Sequence, residues 1–214
     1  MRRGAFFEEE TNRPGRIRRH AGGRAALHRR LPDQEKGRRM AVFYFIRHGK
    51  TDFAQANTKI YRDAGFNMLP LSETGRAQIK AAAQDARLRE AELILTSPFG
   101  RTMHSAAILS KELGLEIAVE TDLHEWMADS RTYTYLPQEE AELCYRQLTE
   151  HQGIHPAGET PAWESAGQMK QRVFAVLDRY AEHRCVIVCC HGTLMQYVLG
   201  IEHPENAQIV KLER

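Results

Sequence analysis

The stretch VFYFIRHGKT at residues 42–51 decides the fold. Val42–Ile46 is a short apolar run rich in β-branched and aromatic side chains, the pattern of a strand buried on both faces. A second run of this kind, CVIVCC at residues 185–190, ends in His191-Gly192, just as the first ends in Arg47-His48-Gly49. Strands without polar alternation belong to parallel sheets covered by helices. The rest of the chain supplies those helices. Ser72 N-caps one expected to run to about Leu88, with Ile79 and the alanines facing inward. Leu93–Thr96 reads as a strand, Ser97-Pro98 caps and opens a helix to about Leu113, and Gly114 stops it. Glu116–Val119 is a third short strand. A helix is expected at Pro137–Glu150, and another from Thr160-Pro161 that carries Ala166, Met169, Val173, Val176 and Tyr180 on one stripe. Thr193–Leu199 and Ala207–Leu212 close the chain as a short helix and a strand. The expected fold is α/β and three-layered: a mostly parallel sheet with helices on both faces, and a short lid segment within residues 126–160.

At 214 residues the chain is long enough for one such domain with a sizeable core. No apolar run reaches the roughly 18 residues that a membrane helix needs. The cysteines are Cys144, Cys185, Cys189 and Cys190, with no CxxC pair. They read as free thiols, and a reducing cytoplasm is the expected location. Cys189 and Cys190 should face opposite sides of their strand.

Charge is unevenly spread. Residues 1–39 hold 12 Lys/Arg against 5 acids; removing these from totals of 30 and 28 leaves 18 against 23. The basic balance therefore belongs to the N-terminal segment, which is Arg- and Gly-rich and broken by Pro14 and Pro32. It reads as a disordered basic extension, with the catalytic domain at residues 40–214. Its arginines are not interleaved with aromatic residues beyond Phe6 and Phe7, so no nucleic-acid partner is expected.

In open α/β sheets ligands bind beyond the carboxyl ends of the strands. Arg47, His48 and Gly49 follow the first strand, and Arg101 lies one turn into the helix after the second. Glu125 follows the third strand, and His191 and Gly192 follow the fourth. Singly, each has a plain structural reading as a surface ion pair, a core histidine or a helix cap. Together on one sheet edge they suit a phosphoryl group. Arginine meets its oxygens bidentately, a neutral imidazole can attack phosphorus, and a carboxylic acid can protonate the leaving oxygen. Gly49 and Gly192 are expected to let backbone approach the ligand, and the helix near Thr193 to aim free N–H groups at it.

The segments RHGKT (47–51), LSETGRAQ (71–78), SPFGRTMHSA (97–106), LHEW (123–126) and CCHGTLM (189–195) resemble the histidine phosphatase superfamily in its phosphoglycerate-mutase-like first branch. The likeness covers about residues 41–212. It implies that His48 is the phosphorylated nucleophile, that Arg47, Arg101 and His191 form the phosphate pocket, and that Glu125 is the proton donor. Gly49, Thr51, Asn57 and Gly192 complete the expected substrate-binding set, with Asn57 standing in for the asparagine that many members have at position 54. The resemblance implies no metal and no cofactor. Lys50, Ala54, His104 and Ser105 depart from the usual pattern and bear on substrate identity.

The expected activity is hydrolysis of a small phosphorylated substrate through phospho-His48. One alternative is a phosphoglycerate mutase, which asks for a larger lid than residues 127–160 offer. Another is a non-catalytic phosphate-binding module. Asp129, Arg131, Tyr133 and Tyr135 are candidates for the mouth of the site. The closing strand offers an edge through which a homodimer could form.

Overall fold

The computed structural model describes residues 40–214, so the basic extension expected at 1–39 lies outside the described residues. The strands are β1 (Val42–Arg47), β2 (Leu93–Thr96), β3 (Ile117–Val119), β4 (Cys185–Cys190) and β5 (Ile209–Glu213). The helices are α1 (Glu73–Ala82), α2 (Gly100–Leu113), α3 (Gln138–Glu150), α4 (Ala166–Arg179) and α5 (Gly192–Leu199). The strands form one sheet in the order β3-β2-β4-β1-β5. All neighbours are parallel except the edge strand β5, which runs antiparallel to β1.

The central pair explains the apolar runs. Every residue of β4 is buried, and so are Phe43, Tyr44, Phe45 and Ile46 of β1. Successive side chains enter different cores because the strand period is two. Phe43, Phe45, Val186, Val188 and Cys190 pack with Met169, Val173, Val176 and Leu177 of α4 and Leu194, Met195 and Val198 of α5. Tyr44, Ile46, Ile187 and Cys189 pack on the other face with Ile79 of α1 and with Ala106 and Leu109 of α2. The layers are therefore helix, sheet, helix, and the adjacent cysteines do part to opposite faces. All four thiols are free.

Three helix ends differ from the sequence expectation. Helix α1 stops at Ala82 rather than near Leu88, because the Asp85 side chain accepts the Arg87 N–H and folds residues 86–88 into a separate 3₁₀ turn. Helix α2 begins at Gly100, after an extended Phe99, and not at Pro98. A Cβ on Gly100 would come within 2.2 Å of the Met68 carbonyl oxygen, so this helix start needs glycine. Helix α4 begins at Ala166, where Ser165 and Gln168 form a reciprocal capping box that Thr160-Pro161 lacks.

Candidate active site

Strands β1 and β4 are in register, with Arg47 opposite Cys190, so the residues that follow them leave the sheet side by side. The His48 N–H donates to the Cys190 carbonyl (3.0 Å), and the rings of His48 and His191 lie 5.5 Å apart in an edge-to-face arrangement. His48 is 6% exposed and His191 is fully buried. The His48 Nδ1 lies 2.8 Å from the Gly49 carbonyl oxygen, which can only accept. Nδ1 therefore carries the hydrogen, and the lone pair is on Nε2, the atom an attack on phosphorus requires.

Burial, with help from Arg101, lowers the His48 pKa to about 3, so the imidazole is neutral at ordinary pH. Burial first and Arg101 second also hold His191 well below the usual histidine range. The sign of the stability effect follows. An unfolded histidine titrates near 6.5. Between that value and about 3 the unfolded chain binds a proton at position 48 that the folded chain refuses. Stability should thus fall as pH drops below about 6.5 and be insensitive to this group above it. Thermal unfolding from pH 7.5 to 4.5 should show the fall, and His48→Gln should make it shallower. An unchanged slope in the variant would contradict the assignment.

Arg47 is held on one side by a backbone carbonyl and lies close against Gly192 on another. Its guanidinium donates to the Pro204 carbonyl, and its own carbonyl accepts the Ala207 N–H at 3.0 Å. A Cβ on Gly192 would lie 3.0 Å from Arg47 Nε. Gly49, for its part, faces a backbone neighbour, with the Gly75 carbonyl oxygen 2.3 Å from where a Cβ would be. The two glycines thus admit Arg47 and the Gly75 backbone, and Gly192 also lines the cavity beside Arg47 and Glu125. Gly192→Ala is expected to displace Arg47 and lower kcat/KM on p-nitrophenyl phosphate by up to about 100-fold, the scale of an ångström-size misplacement. Its thermal midpoint should change little; unchanged kinetics would show that Arg47 tolerates the shift.

Arg101 sits at the start of α2 with its guanidinium carbon 5.0 Å from the Phe99 ring centre. Burial lowers its pKa from the arginine range, and the charge of Glu125 opposes that shift. Ser105 ties this turn to the histidine loop, accepting the Gly49 N–H (3.3 Å) and donating to the Arg101 carbonyl (2.8 Å).

Glu125 overturns one expectation. Its carboxylate accepts the N–H groups of Trp126 (2.9 Å), Thr193 (3.3 Å) and Leu194 (3.0 Å). The start of α5 is therefore held by a side chain of the protein itself, because a carboxylate satisfies the unpaired N–H groups and the positive end of a helix. Arg47, His48, Arg101, Glu125 and His191 nonetheless converge at one end of the sheet.

A family model described as the histidine phosphatase superfamily, branch 1, matches residues 43–209. The chain belongs to this superfamily. A relative from Photorhabdus laumondii called probable phosphoglycerate mutase GpmB is 29% identical over 170 residues, 73% of this chain and 75% of that protein. Its Cronobacter sakazakii counterpart is 30% identical over 142 residues, 65% of this chain and 62% of its own length. Among solved structures, a mycobacterial glucosyl-3-phosphoglycerate phosphatase superposes with a TM-score of 0.61 at 21% identity, covering 82% of this chain and 91% of its own. A phosphoglycerate mutase from Bacillus anthracis gives 0.59 at 18%, covering 85% and 91%. At these identities the two structures show a shared fold.

Not every residue expected from the superfamily pattern joins the cluster. Thr51 is buried and bridged to Leu71, and it lines none of the described cavities. Asn57 is exposed, in a left-handed backbone conformation, and lines an outer cavity of about 660 Å³ with Phe66, Trp126 and Tyr135. Of the four lid candidates, Tyr135 lines this cavity. Asp129 instead accepts the Arg131 N–H, Arg131 reaches the Pro161 carbonyl, and Tyr133 stands against the His124 ring.

Two further residues belong to this cluster that the sequence reading does not single out. Ser97 Oγ lies 2.8 Å from His191 Nε2 and accepts the Phe99 N–H at 3.4 Å. Asn206 donates to the His48 carbonyl at 2.9 Å. Ser97 follows a strand on the ligand edge, a signal that the helix-cap reading hid; Asn206 lies in a loop with no such cue. Among the described residues, no group of three or more His, Cys, Asp and Glu side chains is arranged to hold a metal.

Proposed function

We propose that this chain is a phosphatase that hydrolyses phosphomonoesters through a phosphohistidine at His48. One observation carries the reading. Among the described residues, two buried side-chain atoms lack a hydrogen-bond partner, Arg47 Nε and His191 Nδ1, and both belong to this cluster. Ser97 Oγ already accepts the Phe99 N–H, so its hydroxyl hydrogen is assigned to His191 Nε2, which places the His191 hydrogen on Nδ1. Two buried donors then await an acceptor, and leaving them unpaired costs on the order of 1–3 kcal/mol each. Phosphoryl oxygens are such acceptors.

In the first step His48 Nε2 bonds to phosphorus as the bond to the leaving oxygen breaks, and that oxygen takes a hydrogen from Glu125 Oε2, the carboxyl oxygen with the single, longer N–H contact. In the second, Glu125 takes a proton from water as the water oxygen attacks phosphorus. Phosphate leaves, and the histidine regains its lone pair. Arg47 and Arg101 balance the phosphoryl charge in both steps.

The test is a rapid denaturing quench at alkaline pH during turnover of p-nitrophenyl phosphate with EDTA present, read by intact mass. One added phosphoryl group located at His48 is expected. Steady turnover with no such species would remove the proposal, while phosphate binding without turnover would favour a non-catalytic module. The likeness to proteins called phosphoglycerate mutases supports a second reading. Conversion of 3-phosphoglycerate in the presence of 2,3-bisphosphoglycerate, faster than any hydrolysis, would select it.

A further inference from the structure

The reacting cluster opens on three neighbouring cavities whose linings share residues. One of about 540 Å³ and one of about 180 Å³ share Glu125. The outer one of about 660 Å³ shares Tyr145 with the first, and Phe66, Trp126 and Tyr135 with the second. Whatever is esterified to the phosphoryl group must extend into this space.

Its chemistry is one-sided. The only Lys or Arg side chains in the three linings are Arg47 and Arg101, which the phosphoryl group takes. The same linings carry Asp63, Glu142 and Glu205, and none of the three is ion-paired among the described residues. Two neighbouring arginines outside these linings are engaged by backbone carbonyls: Arg62 donates to that of Asn57, and Arg131 to that of Pro161. The remaining character is aromatic. Trp126 and Tyr145 meet edge to face at 5.6 Å, and Phe66 stacks on Phe53. Such rings offer flat apolar faces together with a hydroxyl or N–H handle.

We infer that the alcohol part of the substrate is uncharged and carries a ring. This rests on the phosphatase reading above and narrows it. A carboxylate or second phosphate on the leaving group would find no cation in the outer cleft and would face carboxylates. Like-charge juxtaposition of this kind is costly. Phosphoglycerate-type substrates carry such a carboxylate, and the cleft disfavours them.

Binding and turnover are tested separately. Calorimetry would compare phenylphosphonate with 4-carboxyphenylphosphonate, neither of which can be hydrolysed. Kinetics would compare phenyl phosphate with 4-carboxyphenyl phosphate and with 3-phosphoglycerate. The added carboxylate is expected to weaken binding and kcat/KM by about tenfold or more, the low end of a like-charge penalty. Glu142→Lys should narrow that gap. Equal or tighter binding of the carboxylated phosphonate, or faster hydrolysis of 3-phosphoglycerate than of phenyl phosphate, would overturn the inference. If nothing is hydrolysed, the phosphatase reading fails while the phosphonate comparison still decides the charge preference of the cleft.

Discussion

Alanine at position 48 is expected to lower kcat on p-nitrophenyl phosphate by on the order of 10⁵-fold, because in the proposed mechanism nucleophile, acid and charge clamps act as a unit. The geometry explains the size of the effect. Nδ1 is committed to the Gly49 carbonyl and Nε2 is free. Burial keeps the ring neutral down to about pH 3, so almost every molecule at pH 7 holds the lone pair that the proposed attack needs. No other side chain of the cluster can replace it. His191 is fully buried with Nε2 engaged by Ser97, and Glu125 is tied to the start of α5. The measurement is steady-state kcat beside circular dichroism and a thermal midpoint, to establish that the variant is folded. A folded variant retaining activity within tenfold of the parent would eliminate His48 as nucleophile.

Arg172→Ala is expected to destabilise the protein by about 3–5 kcal/mol, the usual result of stripping one partner from a buried ion pair. Arg172 donates through Nε and Nη2 to the two oxygens of Glu164, whose side chain is 4% exposed. It also donates to the Asp122 carbonyl. The backbone of Glu164 accepts from the Trp126 indole (2.8 Å) and donates to the Met127 carbonyl (2.9 Å). The pair thus fastens residues 122–127, and with them Glu125, to α4. A urea midpoint that falls without a change in slope is the signature to look for. Activity should fall too, as Glu125 loses its support. Replacing both partners, Glu164→Leu with Arg172→Met, should restore much of the stability, since no unpaired charge remains. A single substitution costing under about 1 kcal/mol would mean that Glu164 finds other partners when Arg172 is removed.

The parts of the fold and site that could be read in the sequence share a physical cause. Val42–Ile46 and Cys185–Cys190 declare themselves because a strand covered on both faces has no polar position to blur the run. Arg47, His48, Arg101, Glu125 and His191 are visible because each ends a strand or lies in the segment that follows one, where the chain leaves the sheet. The Ser72 cap is equally local: its side chain accepts the Gly75 N–H three residues on. What stayed hidden depends on contacts distant in sequence. Asn206 reaches His48 across 158 positions, and Arg172 reaches Asp122 across 50. The engagement of the α5 start by Glu125 spans 68 and 69 positions, so no local pattern could reveal that those N–H groups were taken. Asn57 was expected near phosphate from its loop, yet the turn at residues 57–61 carries it to the outer cavity.

The pairing of β1 with β4 has a bearing on refolding. His48 and His191 each follow directly on these strands, and their spacing is an outcome of which residue stands opposite which. A slip by one position would exchange the side chains that enter the two cores and would separate the rings in the same event. Recovered turnover after dilution from denaturant should therefore track assembly of the sheet's centre, while helix content returns on its own clock. In this molecule the spacing of the two histidines is a gauge of strand alignment.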